Sequence, residues 1–233
     1  MIPITEASTI AQVLQAAARR YADHSLIAVP ANPNRSYLPQ GAEFSYRQVG
    51  ELVAALAQRY RDAGYGLGHR VGLFLESRPE HLLHKLALNS LGICCVPINP
   101  DYRRRELNYL IDHAQLDLVV CLPSREAAVR ESLQDTRVQP GVAATDADDC
   151  TRIALPPAAR AHEPGEPHAD TPASILYTSG TTGQPKGCVL SHAYEIAAGH
   201  WYASQPGFVS IREGCERLFN PLPLFHVNAS ILS

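Results

Sequence analysis

The chain has 233 residues, 45% hydrophobic and 18% charged, with a formal net charge of -3. That composition suits one large or two small globular domains with a sizeable core, and the faint acidity argues against a nucleic-acid footprint. No apolar run reaches the ~18 residues of a membrane span, MIPITEASTI lacks a secretory pattern, and the expected compartment is the cytoplasm.

Strand-like and helix-like segments alternate, which predicts an α/β fold, doubly wound about a mainly parallel sheet with flanking helices. Thr9 and Gln12 have the spacing of a capping box and open a helix through about Arg20. SLIAVP (25–30) reads as a strand, and ANPNRSYLPQG as a loop or hairpin before Phe44. Ser45 and Gln48 repeat the capping spacing, and Val49, Leu52, Val53, Leu56 and Tyr60 share one helical stripe. Gly64, Gly66 and Gly68 end that helix. RVGLFLE (70–76) is the next strand, and Pro79 suits a helix start. CCVPIN (94–99), RRRELNYLIDHAQ (103–115) and LDLVVCL (116–122) read as strand, helix and strand.

Adjacent Cys94 and Cys95 on a strand should point to opposite faces, as buried reduced thiols. His81 and His84 stand at i, i+3 on a helix with no third ligand in reach, so no metal site is expected. Arg103, Arg104 and Arg105 read as a solvated helix face, with a coenzyme A phosphate as the other reading.

Residues 143–172, with PPAARAHEPGEPHADTP, have no apolar period and read as an irregular linker. The linker divides an α/β subdomain (1–142) from a second α/β portion (173–233). In that portion SILYT (174–178) is a strand and VLSHAYEIAAGHWYA (189–203) a helix, with Trp201 and Tyr202 packed inside. RLFNPLPLFHVNASILS reads as a strand, a bend at Pro221 and Pro223, and a helix start.

YTSGTTGQPKG (177–187) carries the chemistry. It fails the ordinary P-loop pattern, because Pro185 stands where the second glycine belongs and Gly187 where Ser or Thr should bind magnesium. It is still built to hold phosphate. Gly180 and Gly183 let backbone amides approach an anion closely. Thr178, Ser179, Thr181 and Thr182 add hydroxyls, Pro185 stiffens the turn, and Lys186 supplies positive charge.

The loop resembles the signature of the adenylate-forming superfamily: acyl-CoA synthetases, aryl-CoA ligases, luciferases and peptide-synthetase adenylation domains. FSYRQVGELVAALA, ALNSLGICCVPINPDYRRREL and PLPLFHVNA resemble further blocks of that family, so the likeness covers most of the chain from about Thr9. The resemblance implies a two-step ligase using Mg2+–ATP, a carboxylic acid and coenzyme A as the thiol. It assigns Thr178, Ser179, Gly180, Thr181, Thr182, Gly183 and Lys186 to the β- and γ-phosphates, the leaving pyrophosphate, with Lys186 offsetting its charge.

Amino-acid-activating relatives carry Asp after Phe in the later block; here Phe225 is followed by His226, which favours an acid without an α-amine. The resemblance places His226 beside the carboxylate being activated, against a purely structural histidine. Asn228 either lines the acyl pocket or caps a helix beginning at Ala229. His192 reads as a helix-start residue, with a role near the phosphates as the weaker alternative.

The family's magnesium-binding Glu, ribose-binding Asp and C-terminal lysine domain match nothing here. The chain is therefore expected to be an N-terminal portion of a larger enzyme, inactive alone and prone to self-association. The competing readings are a non-catalytic nucleotide- or pyrophosphate-binding module and a peptide-synthetase adenylation domain.

Overall fold

The first helix begins where its capping box places it. In a computed structural model, which describes residues 2, 4, 5, 8–146, 149, 151–178, 184–207 and 210–230, α1 spans Ile10–Arg20 and the Thr9–Gln12 pair caps it reciprocally. Ser45 and Gln48 do the same for α2, Tyr46–Asp62. Beyond it the chain turns at Gly64, whose φ of +87° suits a residue without a Cβ. Between these helices β1 (Ser25–Val29) and β2 (Ala42–Ser45) pair antiparallel as a hairpin.

The next elements are β3 (Arg70–Phe74), α3 (Pro79–Ser90), β4 (Cys94–Pro97), α4 (Arg104–Ala114), β5 (Leu118–Cys121), α5 (Pro123–Ser132) and β6 (Gly141–Ala144). Then come β7 (Pro172–Thr178), β8 (Lys186–Ser191), α6 (His192–Ala203) and the short α7 (Val227–Ser230). Six strands form one sheet in the order β6-β5-β3-β4-β7-β8. All neighbours are parallel except β7 and β8, which run antiparallel at the edge.

Side-chain alternation along the strands divides the core in two. Val71, Leu73, Cys95, Leu118 and Val120 pack against α2 and α3 on one face. Phe74, Cys94, Val96, Val119, Cys121 and Ile175 pack against α4 and α5 on the other. The chain is therefore doubly wound, and Cys94 and Cys95 enter opposite layers as buried free thiols.

Four local readings change. α5 and β6 were not predicted. VLS, expected to open a helix, belongs to β8, so α6 starts at His192. RLFN (217–220) forms no strand. Trp201, expected in the interior, is 62% exposed. The stretch read as a linker carries an isolated bridge between Thr145 and Ile153 and lays Ile153, Leu155 and Ala158 against the α2–α3 core. β7 then enters the sheet beside β4.

Candidate functional site

The sheet decides where a ligand can bind. α3 leaves β3 to one face and α4 leaves β4 to the other. The carboxyl ends of β3 and β4 therefore flank a topological switch point, where open α/β sheets leave a crevice. β7 is parallel to β4, so its own carboxyl end, Thr178, lies along the same edge.

There β7 and β8 form the hairpin from which the glycine loop springs. Thr178 stands opposite Lys186, and Tyr177 opposite Gly187. The structure thus brings together two of the residues assigned to phosphate, one from each strand. Both are exposed, and Lys186 makes no ion pair with any described residue. Ser179, Gly180, Thr181, Thr182 and Gly183 lie outside the described residues. Gly187 has a packing reason: a Cβ there would come within 2.9 Å of Ile175 Cγ2 and 3.2 Å of the Tyr177 ring.

The strand is pinned at its start by buried polar groups. Asn89 Nδ2 on α3 donates to the Ala173 carbonyl at 2.7 Å. Ser174 Oγ donates to Glu195 Oε1 on α6 at 2.5 Å, and the other carboxylate oxygen pairs with Lys85 of α3. Lys85 and Glu195 are each only 5% exposed at the side chain, so each would be an uncompensated buried charge without the other. His192, the first residue of α6, is fully buried and accepts a hydrogen bond at Nδ1 from the Ile10 amide. Burial, with Glu195 opposing and Lys85 assisting, pushes its pKa down to about 4. That geometry makes His192 a structural tie between α6 and α1.

The segment before α7 sits over β3. The Leu224 amide donates to Ser77 Oγ at 3.1 Å, three residues past the end of β3. His226 follows with an exposed ring, 4.5 Å from that of Phe225, and its amide bonds the Pro223 carbonyl at 3.0 Å. His226 and Lys186 are thus carried by different supports, the first over β3 and the second on β8, with β4 and β7 between them in the sheet. Asn228 falls within α7, which begins at Val227, so it is not the cap of a helix starting at Ala229. Arg104 is exposed and pairs with Glu131 and Asp135 at 2.8 Å each, in keeping with a solvated helix face.

The model of the AMP-binding enzyme family matches residues 14–233. The chain belongs to that family. Sulfoacetate–CoA ligase from Cupriavidus necator is 31% identical over 219 residues, covering 90% of this chain and 42% of that protein. A mitochondrial medium-chain acyl-CoA ligase, ACSF2 from Danio rerio, is 27% identical, covering 97% of this chain and 40% of its own. Among solved structures, ATP-bound MatB from Rhodopseudomonas palustris superposes with a TM-score of 0.65 at 25% identity, over 95% of this chain and 42% of that one. The inhibitor-bound N-terminal domain of FACL13 from Mycobacterium tuberculosis gives 0.74 at 25% identity, over 96% and 53%. The chain thus spans about two fifths of the length of the curated relatives it matches most fully.

Sequence reasoning missed Tyr109 and His113 on α4. Tyr109 Oη donates to the Pro185 carbonyl at 2.9 Å, and His113 Nδ1 shares a 2.7 Å hydrogen bond with Tyr177 Oη. Their one signal was an aromatic and a histidine at i, i+4 on a helix, which nothing local ties to a loop some 70 residues away.

Proposed function

We propose that this chain supplies the triphosphate-handling part of an ATP-dependent acid–CoA ligase. A carboxylate oxygen attacks the α-phosphorus of ATP, the bond to the β-phosphate breaks, and pyrophosphate leaves. The thiol of coenzyme A then attacks the acyl carbon, and AMP leaves as the thioester forms. Adenylation is needed because a free carboxylate is a poor electrophile. The observation that carries the reading is the glycine loop at the mouth of the β7–β8 hairpin, with Lys186 facing Thr178 on the carboxyl edge of the sheet.

In this reading Thr178, Ser179, Gly180, Thr181, Thr182 and Gly183 hold the β- and γ-phosphates through hydroxyls and backbone amides. The Lys186 ammonium offsets the charge that builds on the departing group. His226 stands beside the reacting carboxylate, with Asn228 in the pocket wall. The printed names of the relatives support coenzyme A as the thiol and a carboxylic acid as the substrate. Magnesium would accompany ATP. Among the described residues no group of three His, Cys, Asp or Glu could hold a metal ion. No helix among the described residues is long and apolar enough to cross a membrane, and we place the enzyme in the cytoplasm.

Amino-acid adenylation is the second reading, favoured by 29% identity over 188 residues to tyrocidine synthase 2 from Brevibacillus parabrevis. His226 argues against it, since a histidine is a poor partner for an α-ammonium. The test is ATP–pyrophosphate exchange by the polypeptide of the uninterrupted reading frame, with aliphatic, aromatic, sulfonated and amino acids. Exchange with a non-amino acid that vanishes in Lys186→Ala supports the ligase. Exchange with amino acids only selects the second reading, and no exchange with any acid overturns both.

A further inference from the structure

The phosphate loop has two ends, and one helix holds both. Tyr109 and His113 are one turn apart on α4, with rings stacked at a centroid distance of 5.2 Å and an interplanar angle of 26°. Tyr109 reaches the returning end, where its hydroxyl donates to the Pro185 carbonyl at 2.9 Å, immediately before Lys186. His113 reaches the outgoing end, where its Nδ1 meets the Tyr177 hydroxyl at 2.7 Å, immediately before Thr178. The His113 and Tyr177 rings also pack edge to face at 5.6 Å.

We infer that the Tyr109–His113 pair is a positioning device that sets Lys186 against Thr178, and so tunes affinity for the pyrophosphate end of the nucleotide. This rests on the phosphate reading of the loop. Four observations meet in it. The two hydrogen bonds land on residues next to the two phosphate-facing side chains. The stack fixes the two hydrogen-bonding groups relative to one another, because neither ring can turn without losing its neighbour. Gly187, opposite Tyr177, leaves room for the Tyr177 ring to lie across the hairpin and meet His113. Finally, among the described residues β8 pairs only with β7, so within this chain its register is set by β7 and by contacts such as Tyr109.

Neither residue touches the ligand in this account. Their contribution is preorganisation: a loop whose ends are fixed before binding loses less freedom when phosphate arrives. The bond to Pro185 suits that role, since proline carries no N–H and its carbonyl is the polar group available to anchor the backbone there.

The experiment uses the 233-residue chain with three changes that spare the fold. Tyr109→Phe removes one hydroxyl and keeps the stack. His113→Ala removes the hydrogen-bond partner of Tyr177 and the stack, and His113→Asn restores a polar group at the Nδ1 position. Two readouts are taken: calorimetric binding of magnesium pyrophosphate, and hydrogen exchange of the β8 amides in the free protein. We expect Tyr109→Phe to bind pyrophosphate roughly three- to ten-fold more weakly, the span one net hydrogen bond allows. We expect β8 to exchange at least about three-fold faster with the melting temperature nearly unchanged, and His113→Asn to recover most of what His113→Ala loses. Unchanged exchange in Tyr109→Phe and His113→Ala overturns the inference whether or not pyrophosphate binds. Altered exchange without pyrophosphate binding by the unmodified chain overturns the phosphate reading, and the claimed effect on affinity with it.

Discussion

The two halves of the sheet are finished to different degrees. Around β3, β4 and β5 both faces are dry, with Leu56, Tyr60, Leu73, Leu88, Val96, Leu110 and Val120 essentially inaccessible. Around β8 and α6 the buried apolar cluster consists of Leu176 and Leu190, with Ala198 half-buried against it. Three large exposed hydrophobics, Val189, Tyr194 and Trp201, belong to this second region, and the others among the described residues, Leu218, Phe219, Leu222 and Val227, lie on the C-terminal segment that crosses over β3. Phe219 is 84% exposed. The first region is a core that closes on itself. The second, the edge that carries the proposed phosphate site, is held to that core by polar ties, chiefly Lys85–Glu195, Asn89–Ala173 and the Tyr109–His113 pair.

The contrast can be broken first with pH, because three buried histidines sit on the helices that join the regions. Burial, aided by Lys85 and His84, lowers His81 to about 3; burial lowers His84 to about 4; and His192 is lowered to about 4. Each folded value lies below the ordinary 6.5, so the unfolded chain takes up these protons first. Their contribution to stability is intact above pH ~6.5 and drains away as pH falls toward ~4. Denaturant titrations should show a loss on the order of several kcal/mol between those limits. A flat profile would remove the histidines from the account.

Next comes the buried pair. Lys85→Ala should cost about 3–5 kcal/mol by leaving the buried Glu195 carboxylate without its cation, while Lys85→Met with Glu195→Leu should be close to neutral. If Lys85→Ala proves harmless, the two regions are joined by something else. A matched pair of truncations sharpens the comparison further. Leu73→Ala, in the closed core, should cost roughly 2–5 kcal/mol, and Val189→Ala, exposed on β8, within about 0.5 kcal/mol. The smallest change concerns association. The exposed apolar face predicts self-association at high concentration, and sedimentation should show it weakened in Trp201→Ser with the unfolding midpoint barely moved.

The sequence was most informative where structure is local. The capping boxes at Thr9 and Ser45, and the helix start at Pro79, emerged as read, because each is settled within four residues. α5 has comparable local signals, Pro123 at its start and a Glu126–Arg130 pair at i, i+4, but its polar sequence PSREAAVRES carries no apolar stripe to mark it as a helix. β8 was illegible for a different reason. KGCVLS becomes a strand only by pairing with β7, with Gly187 opposite Tyr177, and that register is a non-local fact. Trp201 misled because an apolar residue on a helix was assumed to have something to pack against, whereas it faces outward. At the proposed site, residue type singled out Lys186 and Thr178, which the β7–β8 register sets opposite one another; the positions of Tyr109 and His113 needed the fold.

The most direct test of the central claim is calorimetric titration of magnesium pyrophosphate into the unmodified chain and into Lys186→Ala. The account predicts saturable binding by the first, weakened about ten- to hundred-fold in the second, as expected for one charge-assisted contact. Equal affinity in both proteins, or no binding by either, would contradict it.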